Sequence, residues 1–298
     1  MSSAQPKKVW TILDLITWGT GYLGEKGIEE ARLTIELLLA HLLSLKRINL
    51  YMNFDRPLGE DELASFKAML KRRLAGEPLQ YITGSTEFMG KTFRVDQRVL
   101  IPRPETELLT EACVKFVKST FPDQEIAILD LGTGSGCIAV ALAVMLPNAR
   151  VTAADVSAEA LAVAQLNAEM NNVADRVTFL PFDLLTGDAA SLPGPFHAVV
   201  SNPPYVSQTE YAQLDATVKD HEPSIALTDG KDGLTMYPSI LTIAEQHLLP
   251  GGFVGVEHQF DQSDSVRMIF TAHGFPQNDV ITDYNGIRRH VIARKAGE

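Results

Sequence analysis

The stretch "ILDLGTGSGCIAVALA", Ile128–Ala143, decides how the rest of the chain is read. It opens on an apolar run that carries one acid, Asp130. It then passes through Gly132, Gly134 and Gly136 and enters the unbroken apolar segment Cys137–Leu146. A short apolar run bounded by a turn signal reads as a buried strand. Glycine permits a sharp backbone turn and a close approach to a ligand. The helix start beyond it offers amide hydrogens with no intrahelical partner. Taken alone, three alternating glycines are also what any tight strand-to-helix turn needs, so the surroundings must decide.

Outward from this stretch, the pattern alternates. Strands are expected at 126–131, 150–155, 176–181, 197–202 and 252–258, and helices between them include Cys137–Leu146, Ala158–Asn171 and Leu234–Leu248. Such alternation implies a mostly parallel sheet covered by helices. Near the end, "DVITDY" (279–284), Asn285-Gly286 and "RRHVIARK" (288–295) read as a hairpin that adds one antiparallel strand. The expected fold class is therefore α/β, a Rossmann-like sheet over residues 105–298. Upstream, the segments 9–23, 28–45 and 61–76 carry apolar residues at helical spacing and predict a small helical domain over 1–80. Residues 81–104 form the expected linker. Within it, "EFMGKTFRV" (87–95) reads as a β-hairpin around Gly90-Lys91. Pro102 and Pro104 break the extended run that follows, and acids open the next helix.

Composition narrows the function classes. The chain has 298 residues, enough for two domains, and 45% of them are apolar, which excludes a disordered chain. Its two cysteines, Cys113 and Cys137, form neither a disulfide framework nor a metal-ligand spacing. "MSSAQPKKVW" has no apolar signal core, and the longest apolar run is too short to span a bilayer. A cytoplasmic protein with no membrane partner is the expectation. The net charge is −11; residues 1–80 carry 11 Lys and Arg against 10 Asp and Glu, and residues 81–298 carry 15 against 27. That balance, despite the local patch Lys71-Arg72-Arg73, argues against a direct nucleic-acid substrate.

The loop Gly132-Thr133-Gly134-Ser135-Gly136 has two acidic companions. Asp155 closes the next strand, where a carboxylate accepts both hydroxyls of a ribose. Asp183 follows the third strand, where it can accept from an adenine amino group while Leu184 packs on the base. Both NAD and S-adenosylmethionine carry an adenosine that suits this arrangement. The dinucleotide fingerprint G-x-G-x-x-G is shaped for a pyrophosphate. Here the third glycine comes one residue early and Asp130 precedes the loop, which suits a cationic cofactor better.

The fourth strand runs into "VVSNPPYVS", Val199–Ser207. Prolines stop a strand and hold the preceding residue extended, so Asn202-Pro203-Pro204-Tyr205 is a stiff frame. The bland reading is a loop after a strand. The sharper one is a clamp for a planar NH₂ group. The Asn202 side-chain oxygen and the Pro203 carbonyl each accept one of its hydrogens, which points the nitrogen at a methyl donor. Tyr205 offers a ring face to the flat acceptor or to the cation. No Ser-His-Asp arrangement competes, and His221 and His258 read as packing or surface residues.

Together, "PLQYITG", "LIPRPETELL", "LDLGTGSGCIAVALA", "VSNPPYV", "HEPSIALTDGKDGL" and "DYNGIRRHVIARK" resemble the bacterial release-factor N5-glutamine methyltransferases, from about Pro78 to Lys295. The resemblance implies S-adenosylmethionine as donor and, as acceptor, the glutamine in the Gly-Gly-Gln loop of peptide chain release factors. It implies that Gly132–Gly136, Asp155, Asp183, Leu184 and Asn202 line the cofactor and that Asn202–Tyr205 hold the glutamine amide. The resemblance also implies that Arg103 and Glu105 border the site. Sister activities share the Asn-Pro-Pro-Tyr motif: amino-methylating DNA enzymes, and a glutamine methyltransferase acting on a ribosomal protein. The latter family's linker reads closer to Pro-Arg-Ser-Pro than to the Pro-Arg-Pro-Glu found here. A non-enzymatic adenosine-binding protein on the same fold is the reading from another class, and the intact motif argues against it.

Overall fold

The structure, a computed structural model, describes residues 8–297. Most of the N-terminal stretch examined above for a signal core lies outside the described residues. The chain divides into two compact units, one ending at Gly84 and the other beginning at Ser85.

The first unit is all helical: α1 (Ile12–Glu25), α2 (Ala31–Leu42), α3 (Arg47–Met52), α4 (Glu60–Leu74) and α5 (Leu79–Thr83). Helical periodicity anticipates α1, α2 and α4; α3 and α5 are only five or six residues long, too short for a period to show. Thr11 caps α1 in a capping box with Asp14. Ile12, Ile16, Leu38, Leu39, Phe66 and Leu70 belong to the core of this unit. Helix α4 begins with Glu60, Asp61 and Glu62 and ends with Lys71, Arg72 and Arg73, matching its macrodipole at both ends. Arg72 pairs with Glu77 at 2.6 Å, so the basic patch noted in the sequence serves this helix end.

The second unit opens with the hairpin β1 (Ser85–Phe88) and β2 (Lys91–Arg94), followed by α6 (Pro104–Thr120). Met89 and Gly90 both have positive φ, 51° and 67°, as a two-residue turn matched to strand twist requires. Phe88 and Phe93 are buried in the core of this unit. The chain continues as β3 (Ile126–Leu131), α7 (Cys137–Met145), β4 (Ala149–Asp155), α8 (Ala158–Met170), β5 (Val177–Pro181) and β6 (Phe196–Ser201). Two short helices follow, α9 (Gln208–Tyr211) and α10 (Ala216–Lys219). Then come α11 (Met236–His247), β7 (Leu248–Glu257), α12 (Ser263–Ala272), β8 (Asn278–Thr282) and β9 (Arg288–Arg294).

The seven strands are ordered β5-β4-β3-β6-β7-β9-β8, all parallel except β9. The reversed strand expected from the terminal hairpin is present, inserted between β7 and β8. Strand residues alternate between two cores. Ile128, Ala198 and Val200 face α6 and α7, while Leu129, Val199 and Val254 face α11 and α12. This period of two, buried on both faces, is why the strands read as continuous apolar runs. Strand order reverses between β3 and β6, which pair directly from Ile128–Ala198 to Leu131–Ser201. Open α/β sheets bind ligands at the carboxyl ends of strands at such a switch point.

Candidate active site

A cavity of about 330 Å³ lies at that switch point. Among the expected residues, Gly132, Thr133, Gly134, Ser135, Asp155, Asp183, Leu184, Asn202 and Pro204 line it, whereas Gly136, Pro203 and Tyr205 do not. One cavity therefore gathers the ends of β3, β4, β5 and β6.

Four of the five amides of the glycine loop are bonded within the fold. The Gly132 and Thr133 amides donate to the Ala154 carbonyl at 2.8 and 3.0 Å, and the Gly136 amide donates to the Thr133 carbonyl at 2.8 Å. The Gly134 amide donates to Asp155 Oδ2 at 2.8 Å. A pyrophosphate would need such donors free. What the loop has instead is acid. Asp130, fully buried beneath it, accepts from Thr133 Oγ1 at 2.6 Å and from the Ala139 amide at 3.2 Å. Burial pushes its carboxyl up to about 7, and its Oδ1 is buried with no partner among the described residues. Burial also raises Asp155, against the pull of the Ser157 and Gly134 amides. This carboxylate is preorganised by Ser157 at 2.9 Å and keeps lone pairs for further donors. With four of its five loop amides committed and the carboxylates of Asp155 and Asp183 on its wall, the cavity suits a cationic, adenosine-bearing cofactor better than a dinucleotide phosphate. Gly136 has a different task. At φ 78° it sits so close to α8 that an added Cβ would lie 2.8 Å from Ala164 Cβ.

After β5 the chain turns around Asp183. Its carboxylate accepts from Thr186 Oγ1 at 2.7 Å and from the Leu185 amide at 2.8 Å, and these bonds hold its pKa below the usual range. Leu184 and Phe182 line the cavity beside it. Phe182 was not singled out in the sequence; one residue before Asp183, it supplies the aromatic surface.

Asn202 is the first residue past β6, beside Gly132 at the neighbouring strand end. Among the described residues Gly194–Pro195 is the only cis peptide, so both motif prolines are trans. Tyr205 turns away from the cavity. Its hydroxyl donates to Glu257 Oε1 at 3.0 Å, and burial, followed by that carboxylate, raises its phenol well above the usual range. Its carbonyl accepts from Gln262 Nε2 at 2.8 Å. Tyr205 thus anchors the frame from behind. A buried carboxylate draws its hydroxyl more strongly than an open cavity would.

The segment "HEPSIALTDGKDGL", 221–234, is laid along the same frame. The Val206 amide donates to the Leu227 carbonyl at 2.9 Å and the Gln208 amide to the Lys231 carbonyl at 2.9 Å. Gly233, at φ 79°, approaches so closely that a Cβ would lie 2.2 Å from the Tyr205 carbonyl oxygen. Glu222, buried, accepts from the Ile101 amide at 3.1 Å and from Arg103 at 2.6 Å. That bond places Arg103 at the cavity rim. Sequence reasoning placed Arg103 near the site but did not find Glu222, Gly233 or Gln262. The segment of Glu222 and Gly233 carried family resemblance while that of Gln262 did not, and nothing local indicated which carboxylate meets which arginine.

Residues 14–84 match the model of the PrmC N-terminal domain, and residues 110–221 match that of the methyltransferase small domain. In fold, the chain is similar to a methyltransferase from Pyrococcus furiosus, with a TM-score of 0.50 and 21% identity, over 80% of this chain and all of that one. In sequence, it is 44% identical to the release factor glutamine methyltransferase of Chlorobaculum tepidum, over 95% of this chain and 97% of that one. It is 42% identical to the enzyme of the same name from Geobacter sulfurreducens, over 96% and 98% of the two chains. Among the described residues no helix is long and apolar enough to cross a membrane. With similarity of this level running through both units and past every strand end that lines the cavity, the chain belongs to the release factor glutamine methyltransferase family.

Proposed function

We propose that this protein transfers the methyl group of S-adenosylmethionine to the side-chain amide nitrogen, N5, of the glutamine in the Gly-Gly-Gln loop of peptide chain release factors. The observation that carries the reading is that Asn202, just past β6, and Asp155, at the end of β4, open onto one cavity at the switch point, β6 and β4 being the strands that flank β3. Asp155 would accept the ribose hydroxyls and Asp183 the adenine amino group, with Leu184 and Phe182 against the base. The loop Gly132–Gly136, with Asp130 beneath it, would hold the cationic end. When bound, the cofactor supplies an electrophilic methyl group on a sulfonium. The chain's own contribution is placement. An amide nitrogen is a poor nucleophile because its lone pair is delocalised. The Asn202 Oδ1 accepts one of its hydrogens, which fixes its direction and favours the positive charge that grows as the new bond forms; the methylated nitrogen then releases one proton. Pro203 and Pro204 keep that acceptor from relaxing.

The test is a methyl-transfer assay with labelled S-adenosylmethionine. It offers release factors, their Gly-Gly-Gln Gln→Ala variants, ribosomal protein and duplex DNA in parallel. Label on the release factor that disappears in the Gln→Ala variant is expected. Label confined to ribosomal protein or DNA would assign this chain to a sister activity.

A further inference from the structure

Asn202 carries an oxygen at one end of its side-chain amide and a donor NH₂ at the other, and the two ends are nearly the same shape. Only one orientation serves an incoming amide hydrogen; the other points two donors at it. The proline frame holds the backbone and says nothing about this choice. Three groups behind Asn202 do. Its Nδ2 donates to Thr106 Oγ1 at 3.1 Å, and that hydroxyl donates to Glu257 Oε2 at 2.7 Å. Tyr205 donates to the other oxygen, Oε1, at 3.0 Å. Thr106 is 1% exposed and Glu257 2% exposed.

We propose that Thr106 and Glu257 are positioning residues that set the orientation of the Asn202 amide, and so turn its oxygen toward the cavity. A carboxylate has acceptors only, so a hydroxyl beside Glu257 must aim its one hydrogen there. Once that hydrogen is committed, Thr106 Oγ1 has only lone pairs for Asn202, and only the NH₂ end satisfies it. The flipped amide would set two oxygens against each other with no hydrogen between them. It would do so in a buried setting where an unmatched polar group costs about 1–3 kcal/mol. A preference of that size selects one orientation by about fivefold to more than a hundredfold. Turning the Thr106 hydrogen toward Asn202 is no escape, because it strips a donor from a buried carboxylate. His290, the other group near Oε2, stands at 3.5 Å, beyond a good hydrogen bond. The three side chains come from separate places. Thr106 lies in the first turn of α6, Asn202 just past β6 and Glu257 at the end of β7. The network therefore gives the "PETE" stretch a task that Glu105 and Arg103 do not supply.

This inference rests on the proposed role of Asn202, and the experiment separates the two. Thr106→Val keeps the shape and removes the hydroxyl; Thr106→Ser keeps the hydroxyl. With full-length enzyme, saturating S-adenosylmethionine and a release factor, Thr106→Val is expected to lower kcat about 10- to 100-fold, the loss of one aligned acceptor in the transition state. Its cofactor Kd should stay within about twofold, and Thr106→Ser should recover most of the rate. In an Asn202→Ala background, Thr106→Val should add no further loss, because it acts through Asn202. Additive losses, or a Thr106→Val enzyme with normal kcat, would overturn the proposal. A second readout needs no acceptor. In ¹⁵N-asparagine-labelled protein, the Nδ2 signal of Asn202, identified by its absence in Asn202→Ala, should move in Thr106→Val and in Glu257→Gln but not in Thr106→Ser. An unmoved signal overturns the proposal even if the release factor proves to be the wrong substrate.

Discussion

Asp155 and Gly134, which meet on the glycine-loop side of the cavity, are 21 residues apart in the chain. Asn202 and Thr106, which meet at the frame after β6, are 96 apart, and Thr106 and Glu257 are 151 apart. The first side is built by consecutive strand ends, so its parts arrive together whenever β3 and β4 pair. The second is built by helix α6, the frame after β6 and the end of β7, which come together only when the whole sheet is assembled. Binding groups can be local because a strand-loop-helix unit is rigid by itself. Groups that must be aimed within a few tenths of an ångström need support from several directions.

The sharpest way to break this contrast is Asn202→Ala. In the methyl-transfer assay it should lower the rate by about 10²-fold or more. Cofactor affinity by calorimetry should stay within about threefold, since the binding side is a separate construction. Loss of cofactor affinity with the rate intact at saturation would join the two sides into one. The converse change, Asp155→Ala, removes the carboxylate proposed to meet the ribose. It should raise the cofactor Kd about tenfold to a hundredfold, the value of hydrogen bonds to a charged group, and leave the saturated rate largely unchanged. Unaltered binding would take Asp155 out of the cofactor site.

Two glycines of one loop sharpen the comparison from the folding side. Gly136→Ala meets both a positive φ of 78° and the Cβ of Ala164 at 2.8 Å, and should lower stability by about 2–4 kcal/mol in urea unfolding. Gly134→Ala has φ 54° and open space, and should cost about 1 kcal/mol, with its larger effect on cofactor binding. Equal losses would mean that the loop packs more tightly against the fold than its geometry indicates.

A separate expected effect is on pH dependence. Asp130 keeps its proton in the folded chain up to about 7, whereas its ordinary value is 3.8. Between those values the folded state holds a proton that the unfolded state has released. Its stabilising contribution is therefore fully present below about pH 4 and is lost as pH rises through about 7. Relative to Asp130→Asn, the cofactor-free protein should lose stability across that window. Parallel pH profiles of the urea midpoint would show that Asp130 does not titrate there.

The strands, the glycine turn and the frame after β6 were legible because each depends on neighbours in the chain. Apolar runs between turns report burial on both faces, glycines report positive φ, and paired prolines report a stop. The helices α3 and α5 were not legible, because five or six residues carry no period. Tyr205 was expected at the cavity and stands behind it, because a buried carboxylate 52 residues away takes its hydroxyl. Glu222 and Glu257 read as ordinary charges until the fold buried them.

By itself, the sequence determined that this protein is an α/β chain with an acid-rich glycine turn and a stiff Asn-Pro-Pro-Tyr frame, since those are properties of short segments. Only the tertiary structure decided that the two face one cavity where the strand order reverses. It also decided that Glu257, through Thr106, tells Asn202 which end of its amide to present. The reason is that hydrogen-bond direction is set by the partner, and the partners lie 96 and 151 residues away.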